Sequence, residues 1–71
     1  MNEMAKMYKE MYPKGTRIEL ISMWDPFSPI EPGTKGTVEF VDDMGTIHVR
    51  WDCGSSLGVA YGEDSCKIIE E

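Results

Sequence analysis

The sequence has one histidine, two cysteines and no Cys-x-x-Cys pair. Structural zinc sites draw their ligands in closely spaced pairs, so the scattered set His48, Asp52, Cys53 and Cys66 gives no expectation of a metal site. A Cys–His catalytic pair is equally poorly served. His48 and Cys53 lie five positions apart, so along a strand they fall on opposite faces and well separated. Positive charge is also scarce: seven Lys and Arg, spread from Lys6 to Lys67, face thirteen Asp and Glu, for a net charge of −6. Affinity for phosphate comes from clustered cations, so nucleic acid is not the expected partner. No apolar run approaches the roughly 18 residues of a membrane span, and the first ten residues lack the apolar stretch of a secretion signal. The expectation is a cytoplasmic chain with no membrane association, whose two cysteines are free thiols. Gly33-x-x-Gly36 is too short for a phosphate loop and no helix follows it; its glycines are expected to let the chain bend into a strand.

With 71 residues there is room for one small core. Its organising stretch is residues 33–54. Val38 and Phe40 alternate with Thr37 and Glu39, and Ile47, Val49 and Trp51 alternate with Thr46, His48 and Arg50. A period of two puts one apolar and one wet face on each strand, and this places Val38, Phe40 and Trp51 inward and His48 outward. Asp42-Asp43-Met44-Gly45 supplies the hairpin turn, and Asp52-Cys53-Gly54-Ser55 a second turn. These turns account for the paired aspartates without catalysis.

The other segments complete the core, because a two-stranded hairpin is not stable alone. Residues 1–12 carry Met4, Met7, Tyr8 and Met11 at i, i+3, i+4 and i+7, an apolar stripe expected to pack inward on a short helix. Asn2 is a candidate N-cap, Glu3 suits the helix dipole, and Pro13 stops the helix. Residues 17–23 read as a first strand with Ile18 and Leu20 inward; Ile21 breaks the alternation and suggests a bulge. Residues 56–60 form a short fourth strand, with Gly58 a point of close backbone approach. Residues 61–65 read as one helical turn, with Asp64 a candidate cap, and residues 66–69 as a last strand. The fold expected is all-β: a small SH3-like five-stranded barrel over residues 13–71, preceded by a short N-terminal α-helix over residues 1–12.

Residues 24–32 hold three prolines in Trp-Asp-Pro-Phe-Ser-Pro-Ile-Glu-Pro, which excludes a central strand and stiffens the loop. A stiff loop bearing Trp24, Phe27 and Ile30 either covers the core or displays a binding surface. In an SH3-like barrel it lies beside the turn that carries Tyr61. The candidate ligand-binding set is therefore Trp24, Asp25, Phe27, Ile30, Tyr61, Glu63 and Asp64, an aromatic surface with an acidic rim to which Glu31 also contributes.

Gly33-Thr-Lys-Gly-Thr-Val, the Val41-Asp-Asp-Met-Gly turn and Trp51-Asp-Cys-Gly-Ser-Ser-Leu-Gly58 together resemble the domain of unknown function DUF4314, with Cys53 standing where that family more often has Asn. The resemblance runs from Tyr12 to Ser65. It implies a bacterial, phage or mobile-element setting and no established activity. The hairpin alone is distantly similar to the Mib/Herc2 domains of ubiquitin ligases, SH3-like barrels that bind peptides. The expected function is that of a non-enzymatic module binding a protein or peptide, without a cofactor, as a monomer or weak homodimer. One alternative is an acidic effector that occupies a nucleic-acid-binding surface on a host enzyme. Another is direct nucleic-acid binding at a minor basic spot formed by Arg17, His48 and Arg50. Homo-oligomerisation through the methionine stripe or an open sheet edge is a further one.

Overall fold

A computed structural model describes residues 3–23, 30–60 and 63–70. The chain runs α1 (Glu3–Met11), β1 (Arg17–Ser22), β2 (Lys35–Val41), β3 (Ile47–Trp51), β4 (Gly58–Val59) and β5 (Ser65–Ile68). The five strands form one antiparallel sheet in the order β4-β3-β2-β1-β5, with a helix at the N-terminal end of the chain, a small all-β barrel-like architecture. A single cavity wall shows the curl: Ile47 and Val59 from the β3–β4 side and Ser65 and Cys66 from β5 line the same space, with Tyr8 and Tyr12 above it. The two edges of the sheet thus approach each other beneath the helix.

The inner face holds Ile18, Leu20, Val38, Val41, Ile47, Val49, Trp51 and Val59, each buried. Cross-strand pairs build it in rows: Val38 opposite Val49, and Val41 opposite Ile47, which is itself opposite Val59. Such facing branched side chains are the unit of sheet stabilisation. Trp51 is the largest fully buried side chain, and its indole N–H donates to the Leu57 carbonyl at 2.8 Å. The indole is therefore both packed and satisfied, as a buried tryptophan requires.

Gly36 explains where the indole fits. It lies within β2, paired with Trp51 on one side and Ile18 on the other. A Cβ here would stand 2.6 Å from Val49 Cγ1 and 2.8 Å from Trp51 Cε3. The bend into β2 is made instead by Gly33, whose φ is +94°, so the two glycines of the Gly-x-x-Gly pair have different tasks.

The hairpin turn is built as its sequence suggests. Asp42 Oδ1 accepts from the amides of Met44 and Thr46, at 2.9 and 3.0 Å, and Gly45 takes φ +89°. The bulge expected at Ile21 is present. The β1–β5 register shifts between Leu20 and Ser22, and Ile21 is turned out to solvent. At the close of the sheet, the Ala60 amide donates to Asp64 Oδ2 at 2.9 Å, so Asp64 fastens the turn before β5.

Two expectations are corrected. The first concerns α1. Its inward face is Ala5 and Tyr8, continued by Tyr12: of the expected stripe Tyr8 packs against the core and Met4 is half-buried, but Met7 and Met11 are exposed, while Ala5 is fully buried and Tyr12 joins the core. Small size decides this, because the helix crosses the hairpin turn closely, with Ala5 backbone atoms 3.8 Å from where a Gly45 Cβ would stand. A methionine cannot occupy that gap. Tyr8 and Tyr12 then meet edge to face, with ring centroids 5.6 Å apart. An ion pair from Lys9 to Asp43 ties the helix to the turn.

The second correction concerns Phe40. It does not share the inner face with Val38; it is 54 % exposed. The β2–β3 register shifts between Val38, opposite Val49, and Phe40, opposite His48, so Glu39 is an extra residue in β2. A bulge of this kind returns the next side chain to the other face. Val41 consequently takes the inward place facing Ile47.

Candidate functional site

The outer face of the sheet is where exposed chemistry collects. From β1 it carries Arg17 and Glu19, from β2 Thr37, Glu39 and Phe40, and from β3 His48 and Arg50. Phe40 and His48 are stacked, with ring centroids 4.2 Å apart and planes within 8°. His48 is held from its other end as well, since its Nε2 lies 2.8 Å from Asp42 Oδ2. Asp42 therefore organises the turn with one oxygen and the imidazole with the other. The His48 contact, followed by the backbone donors, holds the Asp42 carboxyl below the usual carboxylate range.

Beside Phe40 lies a groove of about 340 Å³ lined by Lys14, Gly15, Thr37, Val38, Glu39, Phe40 and Arg50. Its geometry follows from the bulge. Residues 14–16 run alongside the middle of β2, where the Gly15 amide donates to the Val38 carbonyl and the Val38 amide donates to the Thr16 carbonyl. Lys14 thereby flanks β2 on one side and Arg50 on the other, with Phe40 as the apolar end wall. Arg50 is 77 % exposed and stands 3.6 Å from a Glu39 carboxylate oxygen, too long for a hydrogen bond. Lys14 has no ion-pair partner among the described residues.

Arg17 is differently placed. Its guanidinium makes a two-pronged pair with Asp52, at 2.9 and 2.7 Å, and also donates to Thr37 Oγ1 at 2.9 Å. That contact lowers the Asp52 carboxyl below its ordinary value. The outer face thus separates a cation committed within the fold, Arg17, from two that remain open to solvent, Lys14 and Arg50.

A second, smaller cavity of about 90 Å³ lies under α1 and is lined by Tyr8, Tyr12, Ile47, Val59, Ala60, Asp64, Ser65 and Cys66. Burial, then the Cys66 thiol and the Tyr8 ring beside it, raise the Tyr12 hydroxyl to about 12. Burial likewise raises the Cys66 thiol, which keeps it protonated and poorly nucleophilic. Both cysteines are free, Cys53 in the open and Cys66 half-buried. Among the described residues, no three His, Cys, Asp or Glu side chains gather to hold a metal ion, and no helix is long and apolar enough to cross a membrane.

Of the residues expected from sequence to bind a ligand, Trp24, Asp25, Phe27 and Tyr61 lie outside the described residues, as does Asn2. Ile30 is buried in the core. Glu31 and Glu63 are exposed, and Asp64 is half-buried with its carboxylate on the Ala60 amide. Sequence reasoning placed His48 and Arg50 on the wet face, where they stand. It misses the groove, because simple alternation along β2 puts Phe40 in the core. The signal available was the pair Phe40-Val41: two adjacent large apolar residues in a strand otherwise alternating, the irregularity that marked the Ile21 bulge.

The chain belongs to the family described as a domain of unknown function, DUF4314, whose model matches residues 1–69. No curated protein and no solved structure matches it.

Proposed function

We propose that the chain is a non-enzymatic interaction module that binds a protein or peptide on the outer face of its sheet, at Phe40. One observation carries the reading: a phenylalanine 54 % exposed is held outward by a bulge and stacked on the imidazole of His48. A large aromatic fixed in one orientation loses little entropy on binding and offers much apolar area, which is why aromatics dominate binding hot spots. The adjoining groove gives a partner chain somewhere to lie. The state of the polar groups also favours binding over catalysis. The His48 ring is occupied by Asp42 and Phe40, and the Cys66 thiol is held protonated.

A benzophenone amino acid replacing Phe40, with the same group replacing Met44 as control, tests the proposal in cells that carry the chain. Met44 is 79 % exposed at the hairpin tip, so both probes meet solvent. A discrete crosslinked protein from position 40 and not from position 44 is the expected result. Identical products from both positions, or none from position 40, refute it.

A further inference from the structure

We infer that the groove beside Phe40 takes a short acidic peptide, with an aspartate or glutamate seated between Lys14 and Arg50 and a neighbouring apolar side chain laid on the Phe40 ring. The inference rests on the peptide-binding role proposed above and names the chemistry of its partner.

Charge argues first. The chain carries thirteen acidic against seven basic residues, yet the groove brings two cations to one place with a single carboxylate, Glu39. Of the other basic side chains, Lys9 holds Asp43 and Arg17 holds Asp52 at hydrogen-bond distance, while Lys67 meets Glu19 only at 3.9 Å. Lys14 has no such partner among the described residues, and Arg50 meets Glu39 only at 3.6 Å. The Arg50 guanidinium keeps its fork of donors for an incoming carboxylate, the geometry that arginine binds best.

Spacing argues second. Lys14 and Arg50 each lie one strand away from β2, on opposite sides of it and about two residues apart along it, which sets their backbones about 12 Å apart. Two long cationic side chains reaching over that gap close on one carboxylate. Thr37, Val38 and Phe40 of β2 line the groove between them. At about 340 Å³ the groove is at the small end of ligand-holding clefts, a fit to two or three residues and not to a folded surface.

The same surroundings disfavour a nucleic-acid strand, which also seeks cations beside an exposed aromatic. A polyphosphate chain runs on past the groove, and there it meets Asp52, beside Arg17, and Asp42, beside His48. An acidic peptide brings its charge only where the cations are.

Fluorescence anisotropy on the full chain tests this with four labelled probes. Three are octapeptides in a Gly-Ser background with centres Asp-Trp-Glu, Ser-Trp-Ser and Lys-Trp-Lys; the fourth is oligothymidine. The acidic peptide is expected to bind about tenfold tighter than the neutral one, and the basic peptide weakest. Lys14→Glu and Arg50→Glu should each remove most of the preference, with melting temperature unchanged because both side chains are exposed. Lys14→Gln and Arg50→Gln, which add no new charge, should weaken acidic binding in the same direction. Equal affinity for the neutral peptide, tighter binding of oligothymidine, binding of no peptide, or indifference to all four substitutions overturns the inference. If the position-40 crosslink persists under those results, the module reading stands and only the acidic chemistry falls. If the crosslink is absent too, both fall.

Discussion

The Phe40 ring lies parallel to the His48 imidazole at 4.2 Å, on the solvent side of a strand whose period would have buried it. One inserted residue, Glu39, makes the difference. The bulge turns Phe40 out, brings Val41 in to face Ile47, and opens the groove between residues 14–16 and Arg50. Aromatic pairs of this kind contribute about 0.5–1.5 kcal/mol beyond the area they bury, so the stack holds the ring in place without anchoring the fold.

Phe40→Ala should therefore cost about 1 kcal/mol or less of stability. Val38→Ala, two positions away but fully buried, should cost roughly 1–3 kcal/mol, and Trp51→Ala about 3–5 kcal/mol. Urea unfolding followed by circular dichroism gives the order; a Phe40 variant as damaging as the Trp51 variant would place Phe40 in the core after all.

Gly36→Ala should be far worse than its single methyl suggests. The added Cβ would sit 2.6 Å from Val49 Cγ1 and 2.8 Å from Trp51 Cε3, both in the packed interior. A loss of about 2 kcal/mol or more is expected, with a change in tryptophan emission as the indole shifts. At Gly54 the φ of +94° sets a strain cost of about 1 kcal/mol for alanine, and a Cβ there meets nothing within 4 Å. Similar melting temperatures for the two variants would contradict the packing account.

Acid should loosen the hairpin end of the molecule. Asp42 and Asp43 are both held below the ordinary carboxylate range, Asp42 by His48 and Asp43 by Lys9. A carboxyl lowered in the folded state binds its proton less readily there than when unfolded. Its stabilisation is therefore present above the unfolded value near 4 and disappears as the pH falls through the lower folded one. Melting temperature should drop as the pH falls below about 4, and the drop should be shallower in Asp42→Asn. An unchanged slope in that variant would show that Asp42 is not part of the acid transition.

At the alkaline end, Tyr12 sets the window. Its hydroxyl stays protonated to about 12 in the folded chain against an ordinary 10. The unfolded chain thus loses that proton first, and stability is lost progressively as pH rises from 10 towards 12. Absorbance titration of the tyrosines should show one late component that Tyr12→Phe removes. Loss of all tyrosine protons in one step near pH 10 would contradict the burial.

The sequence by itself determined the strands, because alternation with period two leaves only one face of β1 and β3 to bury, and the turns at Asp42–Gly45 and Asp52–Ser55 fix where strands end. Arg17–Ser22, Lys35–Val41 and Ile47–Trp51 lie where those patterns put them, and the bulge at Ile21 was legible as a break in alternation. Trp51 inward and His48 outward followed from the same rule. The tertiary structure decided what periodicity leaves open. A helix with both a methionine and a tyrosine–alanine stripe can bury either; the narrow gap over Gly45 admits only the alanine side. A strand reading Val-Glu-Phe-Val can bury Phe40 or Val41 after Val38; the register against His48 and Ile47 chose Val41. The groove arises from that second choice, since a bulge is a relation between two strands and neither strand records it alone.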